Sequence, residues 1–200
     1  MEFLGQRVRD ILTSGQIGDI RLITSSFSFF LANPSDIRLN PDFGGGSLYD
    51  VGCYCVHAIR TVSGNGKLKK VHAVARLAKD GCVDTSLTAA LEFSNGVLAH
   101  LDCSFEVQRR QFLQIAGSEG TLILSCPFRP DFGNPTLELK TADENRIESF
   151  EQFNMYKAEV EHFSDCVQKR RVPDNFPDES IQIMQILDEI YRDIGRRGFE

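Results

Sequence analysis

The chain has 200 residues, of which 42% are hydrophobic and 25% charged, with a formal net charge of -6 and a pI near 5.3. That length favours one domain, or one with a small appendage, and the apolar fraction is enough for a proper core. An acidic chain has no general attraction for nucleic acid or an anionic membrane, which leaves small neutral or polar ligands as partners.

Residues 3–14 (FLGQRVRDILTS) put Val8, Ile11 and Leu12 on one side of a short helix that Gly15 ends, and this helix has little to pack against by itself. Residues 19–30 read as a long strand with Ile20, Leu22, Thr24 and Ser26 on one face and Arg21, Ile23, Ser25, Phe27 and Phe29 on the other. Residues 31–43, with Pro34 and Pro41, predict an irregular crossing that ends at Gly44-Gly45-Gly46.

A helix follows to about Gly64. At about 100° per residue, Leu48, Val51, Cys55, Ala58, Ile59 and Val62 share one side, and Ser47, Asp50, Tyr54, His57 and Thr61 the other. The first side packs and the second presents chemistry. Asp50 and Tyr54 stand one turn apart, where a carboxylate can orient a phenol. Uncovered N–H groups at the helix start favour negative charge, and glycines such as Gly45 and Gly46 let a ligand approach the backbone. A solvated polar face behind a Gly-rich turn is the plainer reading of the same pattern. Cys53-x-Cys55-x-His57 invites a zinc reading, but two cysteines so spaced on a helix point about 200° apart, so no metal is expected.

Several strands come next. Residues 67–79 are the first, and residues 84–93 alternate Thr85, Leu87, Ala89, Leu91 and Phe93 against Ser86, Thr88, Ala90 and Glu92. Ser94-Asn95-Gly96 is a strong turn signal. Residues 97–107 then set Val97, Ala99, Leu101, Cys103, Phe105 and Val107 against His100, Asp102, Ser104 and Glu106. Residues 111–116 and 121–125 repeat the pattern across a GSEG turn, 126–135 (CPFRPDFGNP) interrupt it with prolines, and 136–140 with 146–150 form a further hairpin. Residues 155–170 carry Tyr156, Val160, Phe163 and Val167 at helical spacing. Pro177 starts a last helix to about Ile194, with Ile183, Ile186, Leu187 and Ile190 as its buried stripe. Strands in close succession, with helices before and after, predict an α+β fold: a large, mostly antiparallel sheet with helices on one face. Its other face, weakly polar, is either solvated or paired with a second copy.

Six cysteines without a CxxC pair, most inside apolar patterns, fit free buried thiols in a reducing, cytoplasmic compartment. No secretory leader is expected, and no apolar run approaches the roughly 20 residues of a membrane span.

The run Ile37-Arg38-Leu39-Asn40-Pro41-Asp42-Phe43 leading into GGGSLYDVGCY resembles the central motif of the glucose-fructose oxidoreductase, inositol dehydrogenase and rhizopine catabolism family (Gfo/Idh/MocA). Gly117-Ser118-Glu119-Gly120-Thr121 and Gly15-Gln16-Ile17-Gly18-Asp19-Ile20 are similar to two further signatures of that family. The likeness spans nearly the whole chain, as the family's C-terminal substrate domain. It implies residues 1–16 as a junction helix from an absent N-terminal Rossmann domain, and 17–200 as a substrate-binding and oligomerisation domain. No Gly-x-Gly-x-x-Gly opens a helix after a strand here, and neither Glu-Lys nor Lys-Pro occurs, although the family carries a Glu-Lys-Pro motif whose lysine completes the active site.

The resemblance further implies NAD or NADP, held mainly by the absent domain, and hydride transfer at a CH–OH group of a sugar, polyol or dihydrodiol. Tyr54 would move the hydroxyl proton, with Asp50 orienting the site, and Arg38 and His57 would bind substrate together with the backbone at Gly45 and Gly46. The inositol dehydrogenase branch carries histidine at the Tyr54 position, so this chain sits with the tyrosine branch of dihydrodiol and xylose dehydrogenases. Alone, the chain is expected to be inactive. A homo-oligomer through the open sheet face is also expected. The competing reading is a stand-alone, non-catalytic protein that senses sugar or self-associates.

Overall fold

The structure is a computed structural model that describes residues 4–79, 81–173 and 177–196. Its elements are helix α1 (Leu4–Thr13), strand β1 (Ile20–Ser28), helix α2 (Cys53–Val62), strands β2 (Leu68–Leu77), β3 (Asp84–Phe93), β4 (Leu98–Ser104), β5 (Arg110–Gly117), β6 (Gly120–Ser125), β7 (Thr136–Thr141) and β8 (Asn145–Ser149), then helices α3 (Met155–Lys169) and α4 (Pro177–Asp193). One sheet runs β2-β3-β4-β1-β5-β6-β7-β8, antiparallel at every junction except β1 with β4. The α+β class and the mostly antiparallel sheet agree with the sequence reading.

The place of β1 does not follow from chain order. The first strand lies in the middle of the sheet, where Ser25, Ser26, Phe27 and Ser28 are all buried. Short side chains suit the crowded C-terminal half of a central strand, and reaching that slot costs only loop closure that grows slowly with length.

Period-2 alternation sets the core face. Ile23, Leu101, Ile115, Leu122, Leu137 and Leu139 are fully buried on it, and truncating any one to alanine is expected to cost about 2–5 kcal/mol. Val107, expected on that face, is instead 41% exposed because β4 ends at Ser104 and the chain bends away. The register places Leu22, Val74, Leu98 and Ile147, each exposed, on the opposite, open face.

Three helices cover the core face. α1 is no loose appendage: Leu4, Val8 and Ile11 are buried in the common core, and Arg7 grips Glu148 of β8 through two hydrogen bonds of 2.8 and 2.7 Å. α4 contributes Ile186, Leu187, Ile190 and Tyr191 to the same core. α3 forms where the helical spacing predicts it, but it buries little. Its stripe of Tyr156, Val160, Phe163 and Val167 is 49–65% exposed, and Cys166 is the buried residue of that helix.

The motifs Gly15–Ile20 and Gly117–Thr121 meet. Ser118 and Glu119 donate their backbone N–H groups to Asp19 and Ile17, and the Ser118 hydroxyl accepts from Asp19 N at 3.0 Å. Their job is to lock the start of β1 to the β5–β6 turn, far along the chain from the glycine-introduced helix.

Candidate functional site

The segment before α2 is built from capped turns. Asp36 and Asn40 accept from Arg38 N and Asp42 N, which starts two single turns of 3₁₀ helix, Ile37–Leu39 and Pro41–Phe43. Gly46 N then donates to Arg38 O at 2.9 Å and Gly45 N to Asn40 O at 3.0 Å, folding the glycines back onto the turns. A Cβ at Gly45 would stand 2.6 Å from Arg38 O and 2.7 Å from Asn40 O, so glycine is required there by the backbone itself.

The helix opens with a π turn, Leu48–Gly52, before the α geometry of α2 begins. A π turn carries fewer degrees per residue than an α turn, and such turns gather at functional sites. It shifts the faces predicted at α spacing. Ser47, expected beside Asp50 on the polar side, is fully buried, as is Val56, while Leu48, Val51, Cys55, Ile59 and Val62 pack as expected. Gly52 rides directly on β4, where a Cβ would meet the Cys103 sulfur at 3.0 Å.

On the open side Arg38 and Asp50 form an ion pair, Nε to Oδ2 2.9 Å, with Arg38 also 3.3 Å from Asp36. The two partners feel the pair unequally. Arg38 is held more firmly protonated, while the Asp50 carboxyl is pushed up because its burial outweighs the pull of the guanidinium. Asp50 and Tyr54 lie on the same side, but no hydrogen bond joins them: the carboxylate is committed to Arg38. His57 is exposed on the next turn.

Tyr54 stands half-buried between two rings. It meets Phe27 edge-on at 5.5 Å and Phe128 at 6.0 Å, and Phe27 and Phe128 stack at 5.4 Å. Burial first, then the Tyr156 phenol beside it, Cys53 and Asp50 push the Tyr54 phenol above its usual range. In this chain the phenol is therefore a proton-bearing group at neutral pH. The neighbouring cation is already spoken for, since Arg129 holds Asp131 through bonds of 2.9 and 2.7 Å.

Phe128 and Arg129 belong to the proline-interrupted loop. Gln111 of β5 pins it, accepting from Phe128 N and Arg129 N at 3.1 and 2.8 Å and donating to Arg129 O at 3.2 Å. Arg129 lies over the Tyr156 ring at 5.4 Å and, with Arg109, over Phe132 at 4.1 Å. An aromatic wall from β1, this loop and α3 thus surrounds the phenol. The sequence reading did not place Phe27, Phe128, Arg129 or Tyr156 at the site. The one available signal was aromatic clustering around a Pro-rich loop, which carries no address by itself.

The thiols point elsewhere. Cys53 Sγ faces Asp50 O at 3.6 Å and Cys55 Sγ faces Asp102 O at 3.9 Å, and burial pushes them up to about 11 and about 12. Thiols that diverge in this way do not form a zinc pair, and their raised pKa values disfavour the thiolate that a nucleophile needs. Among the described residues no group of three or more His, Cys, Asp or Glu side chains could hold a metal ion, and no helix is long and apolar enough to cross a membrane. Of the six cysteines, Cys55, Cys103 and Cys166 are buried, Cys53 and Cys126 half-buried, and Cys82 exposed, which corrects the expectation that most would be buried.

Comparison with known proteins points one way. The family model for the GFO/IDH/MocA C-terminal domain matches residues 6–123. The chain is 34% identical over 193 residues to D-xylose 1-dehydrogenase (NADP(+)) 2 of Haloferax volcanii, covering 94% of this chain and 58% of that protein. It is 28% identical over 197 residues to trans-1,2-dihydrobenzene-1,2-diol dehydrogenase of Oryctolagus cuniculus, covering 94% and 59%. Among solved structures it resembles KijD10, a 3-ketoreductase from Actinomadura kijaniata in complex with NADP and TDP-benzene, at TM-score 0.84 and 26% identity over 97% of this chain and 59% of that one. The chain spans just under three-fifths of the length of these relatives.

Proposed function

The chain belongs to the GFO/IDH/MocA family as a C-terminal domain, and from that premise we propose that it is the substrate-binding half of an NAD(P)-dependent oxidoreductase acting on a CH–OH group of a sugar, polyol or dihydrodiol. The observation that carries this is the Tyr54 phenol, half-buried in an aromatic wall and one helical turn from the Arg38–Asp50 pair.

Among the described residues no Gly-rich βαβ turn exists to cradle a pyrophosphate, so this chain suits only the nicotinamide end of the cofactor. There the turns that carry Arg38 expose the apolar side chains of Ile37 and Phe43. A bound nicotinamide supplies hydride chemistry at the carbinol carbon. The chain's own residues hold the substrate and handle its proton. Tyr54 donates to, or accepts from, the reacting oxygen, as a general acid or base. Because this phenol sits above its usual range here, its anion needs a further cation, from outside this chain, to become accessible near neutral pH. Arg38 and Asp50 offer a donor and an acceptor for substrate hydroxyls, with His57 exposed on the next turn. The expected backbone contribution of Gly45 and Gly46 is corrected: Gly46 is buried, and both N–H groups are already donated, to Asn40 O and Arg38 O. On this reading the isolated chain is inactive.

The exposed Leu22, Val74, Leu98 and Ile147 on the open sheet face support self-association, and free cysteines support a cytoplasmic setting. The test is a panel of aldoses, polyols and dihydrodiols with NAD and with NADP, run on the full-length gene product and on residues 1–200 alone. Nicotinamide reduction by the full-length protein and none by the chain is the expected result. Substrate binding without redox turnover in the full-length protein would instead favour the non-catalytic sugar-sensing reading.

A further inference from the structure

The mechanism above leaves one buried carboxylate unused. Asp84, the first residue of β3, is fully buried. Its Oδ2 accepts from the Ser47 hydroxyl at 2.6 Å and from Leu48 N at 2.8 Å, and its Oδ1 accepts from the Tyr191 hydroxyl of α4 at 2.6 Å. Arg196 approaches the same oxygen at 4.0 Å. The space a Cβ would need at Gly46 is taken by Asp84 and by the Tyr191 hydroxyl, 2.7 Å away. Gly46 also has φ +125, a conformation that other residues rarely adopt. The glycine expected to line the substrate is instead buried, and its reason to be glycine lies on its inner side.

We infer that Asp84 is a positioning residue for the reaction proposed above: by binding Ser47, Leu48 N and Tyr191 at once, it fixes the start of the π turn and hence the direction in which Asp50 and Tyr54 project. The path is short. Asp50 N donates to Gly46 O at 3.1 Å, so any shift of the Gly46–Leu48 backbone reaches the carboxylate of the Arg38 pair directly. Tyr49, in the same turn, leans on Tyr191 at 4.8 Å and donates to Asp188 at 3.3 Å, which ties α4 to the same start. Ser47 offers no side-chain cap to this helix, whose first N–H, that of Leu48, would otherwise go unmet. A carboxylate from a different strand supplies the acceptor. Buried polar networks rarely add much stability over an apolar core, and their better-attested use is to select one arrangement. Here the arrangement selected is the orientation of the site helix.

The inference rests on Tyr54 and Asp50 serving the reaction, and the experiment separates the two claims. In the full-length enzyme, assayed with the nicotinamide and substrate that the panel identifies, Asp84→Ala is expected to lower kcat by about 100-fold, the loss that a displacement near 1 Å produces. KM for the nicotinamide should stay within about twofold while circular dichroism shows a folded protein, because a cofactor held mainly by another domain does not sense this turn. Asp84→Asn should return kcat to within about threefold of wild type, since its oxygen still accepts from Ser47 and Leu48 N and its amide can donate to Tyr191. If Asp84→Ala does not fold, Ser47→Ala removes the bond to Asp84 and the longer contact with Cys103 Sγ at 3.5 Å, leaves the other two bonds to Asp84 in place, and should lower kcat by about tenfold on its own. Wild-type kcat per folded molecule in Asp84→Ala or Ser47→Ala, alongside an inactive Tyr54→Phe, overturns this inference alone. Equal losses in Asp84→Asn and Asp84→Ala also overturn it, by moving the role from bonding geometry to charge. Wild-type turnover in Tyr54→Phe overturns the reading of the site instead.

Discussion

Asp50 and Asp84 are two carboxylates on opposite sides of one helix start, and they are treated very differently. Asp50 is partly exposed, bonded to a guanidinium that is itself 41% exposed, and burial raises its pKa despite that partner. Asp84 is fully buried and accepts three hydrogen bonds, two from side chains and one from the backbone. The first is placed where a ligand can reach it and is poorly compensated. The second is fully compensated and unreachable. The carboxylate proposed to meet a substrate is left with fewer partners than the one proposed to hold the start of the site helix.

The largest effect expected on the open side is at the phenol. Tyr54→Phe should lower kcat of the full-length enzyme by about 10²–10⁴-fold, the usual worth of a positioned acid or base, with cofactor affinity nearly unchanged, as read by steady-state kinetics and cofactor titration. Near-wild-type turnover would remove Tyr54 from the mechanism. On the buried side, Gly46→Ala forces a Cβ against Asp84 and into a strained conformation. A loss of about 2 kcal/mol, roughly 4–8 °C in Tm, is expected by thermal melting.

Asp50→Asn should move activity and stability in opposite directions. Turnover should fall by about tenfold as the Arg38 pair is lost. Because the folded carboxyl titrates above its unfolded value of 3.8, the ionised group costs stability at neutral pH and nothing below 3.8. The neutral variant should therefore melt higher than wild type at pH 7, with the difference closing as the pH falls towards 3.8. A variant that melts lower at pH 7 would show Asp50 to be compensated as Asp84 is.

The smallest effect lies at the far edge of the sheet, away from both carboxylates. The hydrogen bond from Arg7 holds Glu148 below its usual range of 4.5, so this pair stabilises above that pH and is lost as the pH falls through the lowered value. Glu148→Gln should lower stability by no more than about 1 kcal/mol at pH 7 and should leave activity alone, with the difference shrinking in acid.

Much of the fold was legible because it rests on local periodicity. The alternation in residues 84–93 and the Ser94-Asn95-Gly96 turn give β3 and its hairpin directly, and the inward residues Leu87, Ala89, Leu91 and Phe93 are those the pattern names. The stripe of α4 is equally local. At the site, Arg38, Asp50 and Tyr54 share one side of the chain as expected, because they lie within one motif. Ser47 fell on the wrong side because a single π turn breaks the angular count, and no residue type announces such a turn.

What the sequence determined by itself, then, was most of what near neighbours decide: the strands, the helices, the glycine-led turn and the shared side of Asp50 and Tyr54. The tertiary structure alone decided that β1 enters the middle of the sheet, that Phe27, Phe128 and Tyr156 converge on Tyr54, that Asp84 reaches 37 residues back to Ser47, and that the α3 stripe stays uncovered. The physical reason is the range of the forces that order each part. Periodicity and turn chemistry act over a few residues and are written where they act. Packing and buried hydrogen bonds join residues that only chain closure brings together, so their partners cannot be read from either end alone.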